Sequence, residues 1–486
     1  MLYKKNTEKT LSNELFKNPT SEYRGAPFWS WNCKLEEKEL REQIGYLKEM
    51  GMGGFHMHSR VGMASEYLSD EFMHMISSCV DEAKKQDMLA YLYDEDKWPS
   101  GFAGGLVTKD PKYAQRVANF APENLEIPEF YDIDTAVAEG KDYLLGCYDV
   151  VLNSRGELAS YKQIDINDKA EGTKWIAYSS VTPKTGWFNG QSYVDTLNSE
   201  AIDRFKEITH ERYKEVVGEE FGKHIPAIFT DEPQFCRKSA LKFATSCDEM
   251  IQLPWTPKLP ELFKKHCGLD IFAQLPELLW DLPDGKISRY RYLYHDFITE
   301  LFATAFADNL GKWCEENDIM LTGHLMCEDT LESQTFSIGE AMRIYRGFQL
   351  PGIDTLCDDE DMNRNCAKQC QSAVHQYGKE GMLTELYGVT NWDFDFRHHK
   401  LQGDWEAAMG ATVRVHHLSY VSMAGESKRD YPASINYQAP WYKEYGYIEN
   451  HFARVNTAMT RGKADVKVGV IHPIESYWLH WGPEEN

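Results

Sequence analysis

The chain has 486 residues, more than one average domain, and a barrel with insertions fills such a length. Its 42% hydrophobic and 26% charged residues are those of an ordinary globular protein, and no run reaches the roughly 18 apolar residues of a membrane span. A formal net charge of −24 opposes binding to a polyanion, which excludes nucleic acid as the expected partner.

The opening residues, MLYKKNTEKTLSNELF, are polar and lack the apolar run of a secretory signal, so a cytoplasmic location is expected. APFWSWN at 26–32 then reads as a first strand. The helical stretch behind it carries Leu40, Ile44 and Leu47 at helical spacing. GGFHMHSR at 53–60 reads as a second strand followed by the helical DEFMHMISSCVDEAKKQDM, and MLAYLYDEDKW at 88–98 as a third. From about 113 to about 195 the rhythm changes to short alternating segments (YLLGCYDVVLN, YKQIDI, WIAYSSV) between Gly, Asn and Asp, the pattern of a small β-rich insertion.

The helical pattern returns at SEAIDRFKEITHERYKEVVGEEF and leads into IPAIFTDEPQF at 225–235. After a Pro-rich excursion and a long helix at about 287–317 come four more strand candidates: IMLTGHLM (319–326), GIDTLCDD (352–359), GMLTELYGV (381–389) and ATVRVHHLSYVSM (411–423). Eight strands alternating with helices predict an α/β fold with a parallel sheet, closed as a (β/α)8 TIM barrel. No G-x-G-x-x-G opens the first unit, which disfavours an open dinucleotide-binding sheet, and no organic cofactor is expected. The expected organisation is a first barrel part at 1–112, the insertion after strand three at 113–195, and the rest of the barrel at 196–462. The segment 463–486 opens with ADVKVGVIHPIESYWLHWG, which reads as the start of a following domain or as a C-terminal tail. The 11 cysteines are scattered, odd in number and without a C-x-x-C pair, as in a protein with reduced thiols. Nothing in the sequence bears on oligomeric state.

Barrel enzymes build their sites at the C-terminal ends of the strands. Polar residues collect there: His56, His58 and Arg60 on strand two, then Asp94, Glu95, Asp96 and Trp98 on strand three. Asp231 and Glu232 end strand four, His324 strand five, Glu385 strand seven, and His416 and His417 strand eight. Cleaving a glycosidic bond needs two carboxyl groups flanking it, and Glu232 and Glu385 stand on strands far enough apart to do so. Asp231 would point away from Glu232 along a strand; if the backbone turns there, its charge would raise the pKa of Glu232 and keep that acid protonated. The Asp94-Glu95-Asp96 cluster has three open readings: contacts to sugar hydroxyls, a hard cation such as Ca2+, or pairing with Arg60 and Lys97. Aromatic faces suit the apolar side of a pyranose ring, and 13 Trp are available.

Taken together, PFWSWN, GMGGFHMHSRVGM, YLSDEF, LYDEDKWPSGFAGG, FTDEP, TGHLM, PGID, TELYGVTNWDF and HHLSYVSMAGESKRDYPASINYQAPW resemble glycoside hydrolase family 106, the α-L-rhamnosidases, and related barrel glycosidases. The resemblance runs through nearly the whole barrel in order. It implies a catalytic barrel followed by β-sandwich modules, action on rhamnose-capped plant glycans, inversion of configuration and a calcium ion in the site. It also implies Glu232 as acid and Glu385 as base. FTDEP looks in addition like the N-E-P of the large retaining barrel-glycosidase clan, with Asp231 in place of Asn. The terminal sugar would then lie against Trp98 or Trp392. His56, His58, Arg60, Asp94, Glu95, Asp231, His324 and His417 would hold its hydroxyls. Two other readings stay open: a metal-dependent, amidohydrolase-like hydrolase using His56, His58 and His324 with Asp94 and Asp231, and a non-catalytic carbohydrate-binding barrel.

Overall fold

The computed structural model describes residues 2–3, 10–357 and 363–484. Most of MLYKKNTEKT and the last two residues of GIDTLCDD fall outside them.

Eight parallel strands form the barrel: Phe28–Trp31, Gly54–Ser59, Leu89–Tyr93, Ala227–Thr230, Met320–Gly323, Leu350–Thr355, Met382–Leu386 and Ala411–His416. The eighth pairs with the seventh, and its short continuation, Ser419–Tyr420, pairs with the first, so the sheet closes on itself. The expected (β/α)8 barrel is therefore the observed fold.

Alternation along the strands divides the apolar residues between two clusters. Phe28, Tyr91, Tyr93, Phe229, Leu350, Leu383, Val413 and Val415 fill the barrel interior. Their neighbours Trp29, Phe55, Met57, Leu92, Ile228, Leu321 and Ile353 belong to the larger core packed against the helices. Leu40, Ile44 and Leu47 of the helix Glu37–Glu49 are buried in that core, as their spacing predicts.

The insertion is a five-stranded antiparallel sheet. Arg116–Pro122, Tyr143–Leu152, Leu158–Ile164 and Thr173–Val181 come from the expected segment. The fifth, Ile251–Trp255, comes from the Pro-rich excursion after the fourth barrel strand and pairs with Arg116–Phe120 at the sheet edge. IQLPW reads poorly as a strand because it becomes one only through a pairing more than 130 residues away in sequence; Pro254 is tolerated because the strand lies at an edge.

At the C-terminal end, residues 463–473 form no strand. Beyond them the helix Ile474–Leu479 packs on Arg289–Phe302, and Trp478 and Trp481 are buried. Val466, Val468, Val470 and Ile471, ahead of that helix, are exposed. No helix among the described residues is long and apolar enough to cross a membrane.

Candidate active site

A cavity of about 120 Å³ opens at the C-terminal ends of the barrel strands, lined by Phe28, His58, Arg60, Trp98, Asp231, Glu232, His324, Asp354, Leu356, Glu385, His417 and Tyr431. It gathers four carboxyl groups around one imidazole.

Glu385 lies within the seventh strand, in register with Asp354 on the sixth, and the alternation that buries Leu383 inside the barrel turns Glu385 inward too. His324 follows the fifth strand; its Nε2 lies 2.7 Å from Glu385 Oε2 and 3.6 Å from Asp231 Oδ1. Asp231 and Glu232 follow the end of the fourth strand. Asp231 continues the inward row of Phe229, whereas Glu232 would point outward on an extended chain. The backbone instead turns, with Glu232 at φ 47°, and both side chains enter the cavity. A non-glycine residue in that region costs roughly 1–3 kcal/mol, so the surroundings must impose it. Ser100 does so from both sides: its N–H donates to the Asp231 carbonyl at 2.8 Å, and its Oγ accepts from the Asp231 N–H at 2.8 Å.

The electrostatic settings of the two glutamates differ. Burial pushes Glu232 up to about 8, and the adjacent Asp231 charge adds to it while His324 opposes. The backbone turn thus has the consequence expected of it. Glu385 is also raised by burial, but the hydrogen bond from His324 works in the opposite direction. Burial acts against a charge on His324; the bond to Glu385 and the charges of Asp354, Glu385 and Asp231 outweigh it, so the imidazole sits well above its ordinary value. Both glutamates thus lie above the ordinary carboxylate value, and of the two only Glu385 has a hydrogen bond to His324 working against burial.

Of the residues singled out from sequence, His58, Arg60, Trp98, Asp231, Glu232, His324, Glu385 and His417 line the cavity. Six others lie elsewhere. His56 is one layer deeper, with Nδ1 2.9 Å from the Ala26 carbonyl and its ring stacked on Tyr91. Asp94 accepts a 2.5 Å hydrogen bond from Ser100 Oγ, so it reaches the cavity only through the serine that holds Asp231. Glu95 is fully buried and accepts from the backbone N–H groups of Asp96, Gly101, Phe102, Ala103 and Gly104, which spends its carboxylate on shaping the loop. Asp96 accepts from Asn189. Glu95 and Asp96 are thus hydrogen-bonded within the loop, whereas Asp94 Oδ2 is buried without a hydrogen-bond partner among the described residues. Trp392 is 41% exposed, outside the cavity. His416 is buried against Glu449.

Sequence reasoning missed Phe28, Asp354, Leu356 and Tyr431. Asp354 was within reach: PGID ends the sixth strand, and alternation from Leu350 puts 352 and 354 on the inner row. Its Oδ1 is buried with no hydrogen-bond partner among the described residues. Tyr431 arrives on the loop after the eighth strand, where no periodicity exists to locate it. Arg60 lies between Trp98 and Tyr431, its guanidinium 4.6 Å and 5.8 Å from the two ring centroids, and pairs with Asp430.

Among the described residues, two groups place ligand atoms within 4.8 Å of one another: Asp231, His324 and Glu385, and Glu232, His324 and Asp354. Neither contains His56 or His58, so the structure does not assemble the H-x-H metal site.

No protein-family model and no curated protein matches the chain. Among solved structures it is similar to a rhamnosidase from Novosphingobium sp. PP1Y, with a TM-score of 0.65 and 14% identity over 93% of this chain. The chain spans 60% of the length of that rhamnosidase. A β-amylase catalytic domain from Paenibacillus polymyxa gives a TM-score of 0.44 at 8% identity, covering 87% of this chain and 98% of that one. An endo-β-1,4-mannanase from Thermotoga petrophila gives 0.42 at 8% identity, covering 89% and 78%. The rhamnosidase likeness agrees with the barrel fold.

Proposed function

We propose that the chain is a glycoside hydrolase, α-L-rhamnosidase-like, which removes a terminal sugar from plant-type glycans with inversion. The observation that carries this reading is the pair Glu232 and Glu385: two glutamates in one small cavity, Glu232 pushed up by burial and Glu385 2.7 Å from His324 Nε2. Glu232 gives its proton to the departing glycosidic oxygen as the bond to the anomeric carbon breaks. Glu385 takes a proton from a water whose oxygen forms the new bond to that carbon. Both carboxyl groups then return to their starting states by proton exchange with solvent. The rhamnosidase likeness and the motif resemblance support the sugar class.

The resemblance also implies a calcium ion. The residues fit in donor type, since carboxyl oxygens suit a hard cation and Asp354 has a buried oxygen without a partner. Asp231 with His324 and Glu385, or Asp354 with His324 and Glu232, would hold such an ion. When bound it would supply positive charge to offset the acidic cavity and would orient sugar hydroxyls.

The test is turnover of aryl glycosides, α-L-rhamnoside first, with and without Ca2+. Release of the anomer of opposite configuration is expected; release of the same anomer would overturn inversion, and no cleavage of any glycoside would overturn the hydrolase. The pH profile offers a second check. Because Glu232 must be protonated, kcat/KM should fall as pH rises through about 8. An activity unchanged well above that value would remove Glu232 from the role of acid.

A further inference from the structure

Resting on the hydrolase reading, we propose that the β-rich insertion supplies the subsite for the leaving half of the substrate, with Trp187 as its platform. The ligand is a ring with a flat apolar face, either an aromatic aglycone or a second sugar.

Trp98 lines the cavity, but Arg60 occupies a face of its ring at 4.6 Å, which limits the surface it can offer. Trp187 continues the aromatic surface outward. It meets Trp98 edge to face with centroids 4.8 Å apart, it is 37% exposed, and Lys97 Nζ lies 5.7 Å from its ring centroid, farther than Arg60 lies from Trp98. The segment that carries it is held in place by polar contacts to the third-strand loop. Trp187 Nε1 donates to the Trp98 carbonyl at 2.6 Å, and the Asn189 amide donates to Asp96 Oδ2 and the Gly104 carbonyl, each at 3.0 Å. Lys97 Nζ donates to Asn189 Oδ1 at 2.7 Å. Beneath it, Phe188 stacks on Tyr193 and meets Phe102 edge to face. A ring this firmly placed loses little freedom when a ligand stacks on it. Lys97 Nζ stands close by for a hydroxyl. This gives the insertion a task that its position beside the barrel does not by itself explain.

The experiment compares kcat/KM of the full chain and its Trp187→Ala and Trp187→Phe variants on three substrates of one glycosyl unit: the glycosyl fluoride, an aryl glycoside and a disaccharide. The fluoride has no ring in the leaving half. The alanine variant should lower the ratio of aryl or disaccharide to fluoride kcat/KM by about tenfold, the size of one aromatic contact, and phenylalanine should restore most of it. Whether the aryl or the disaccharide ratio moves names the ring. Equal losses on all three substrates, or no change in any ratio, would overturn the subsite. A readout independent of turnover is saturation-transfer NMR with free phenol and with a free hexose. Transfer to one of them that Trp187→Ala abolishes supports the subsite even if no glycoside is cleaved, which would count against the hydrolase alone; no transfer to either overturns it.

Discussion

Glu385→Gln should lower turnover by about 10²–10⁴-fold, and Glu232→Gln by a similar factor, because on the proposed mechanism each change would remove a proton-transferring group and keep its shape. The two losses should differ in character. Without the proton from Glu232 the leaving oxygen departs as an anion, so Glu232→Gln should cost most on alkyl glycosides and least on substrates with an acidic phenol or fluoride. Glu385→Gln removes the group that activates water, so its cost should be the same across leaving groups. Combining both changes should cost less than the product of the two, since the groups act in one step. Near-normal turnover in either variant would remove that residue from the chemistry, and a reversed leaving-group pattern would exchange their roles. Unfolding midpoints close to that of the parent chain are needed beside the rates, because both groups are buried.

The second large effect concerns stability. Glu449, on the helix Gly446–Met459, is fully buried and pairs with Arg414 at 2.7 Å and His416 at 2.9 Å, and it accepts the Gly25 N–H at 2.9 Å. It ties the last helix to the eighth strand and to the entry of the first. Glu449→Ala strands the buried Arg414 guanidinium, which typically costs about 3–5 kcal/mol. Urea unfolding of the variant should show that loss near neutral pH. The loss should shrink in acid: although burial opposes the charge, Arg414 and His416 hold the Glu449 carboxyl well below the ordinary 4.5. A depressed acid contributes its stability above its unfolded pKa and forfeits it as pH falls towards the folded value. A loss below about 1 kcal/mol, or one that grows in acid, would contradict this account.

His416 and His417 show how much rested on parity. As sequence they are two adjacent histidines at one strand end, equally eligible. In the structure His416 faces Glu449 and the helices, while His417 lines the cavity. Glu385 could be placed because it lies within its strand and alternation points it inward. Glu232 could not be placed that way, since its side chain enters the cavity against alternation, through a turn that Ser100 holds from a different strand's loop. The same difficulty made Asp94 and Glu95 look like ligands. Their acidity at a strand end was legible, but not that Ser100 binds one oxygen of Asp94 or that five backbone N–H groups surround Glu95.

By itself, then, the sequence determined what depends on local periodicity: eight alternating strand and helix units, the closed parallel barrel, and the end of the barrel where acids and histidines gather. Periodicity is written into consecutive residues, because each strand or helix must bury one face whatever the rest of the chain does. Only the tertiary structure decided which of those polar residues share a cavity, that Asp354 and Tyr431 join them, that Ile251–Trp255 completes the insertion's sheet, and that Trp187 stands beside Trp98. Those outcomes depend on loops and on pairings between distant segments, where contact is set by packing in three dimensions and adjacent residues carry no record of it.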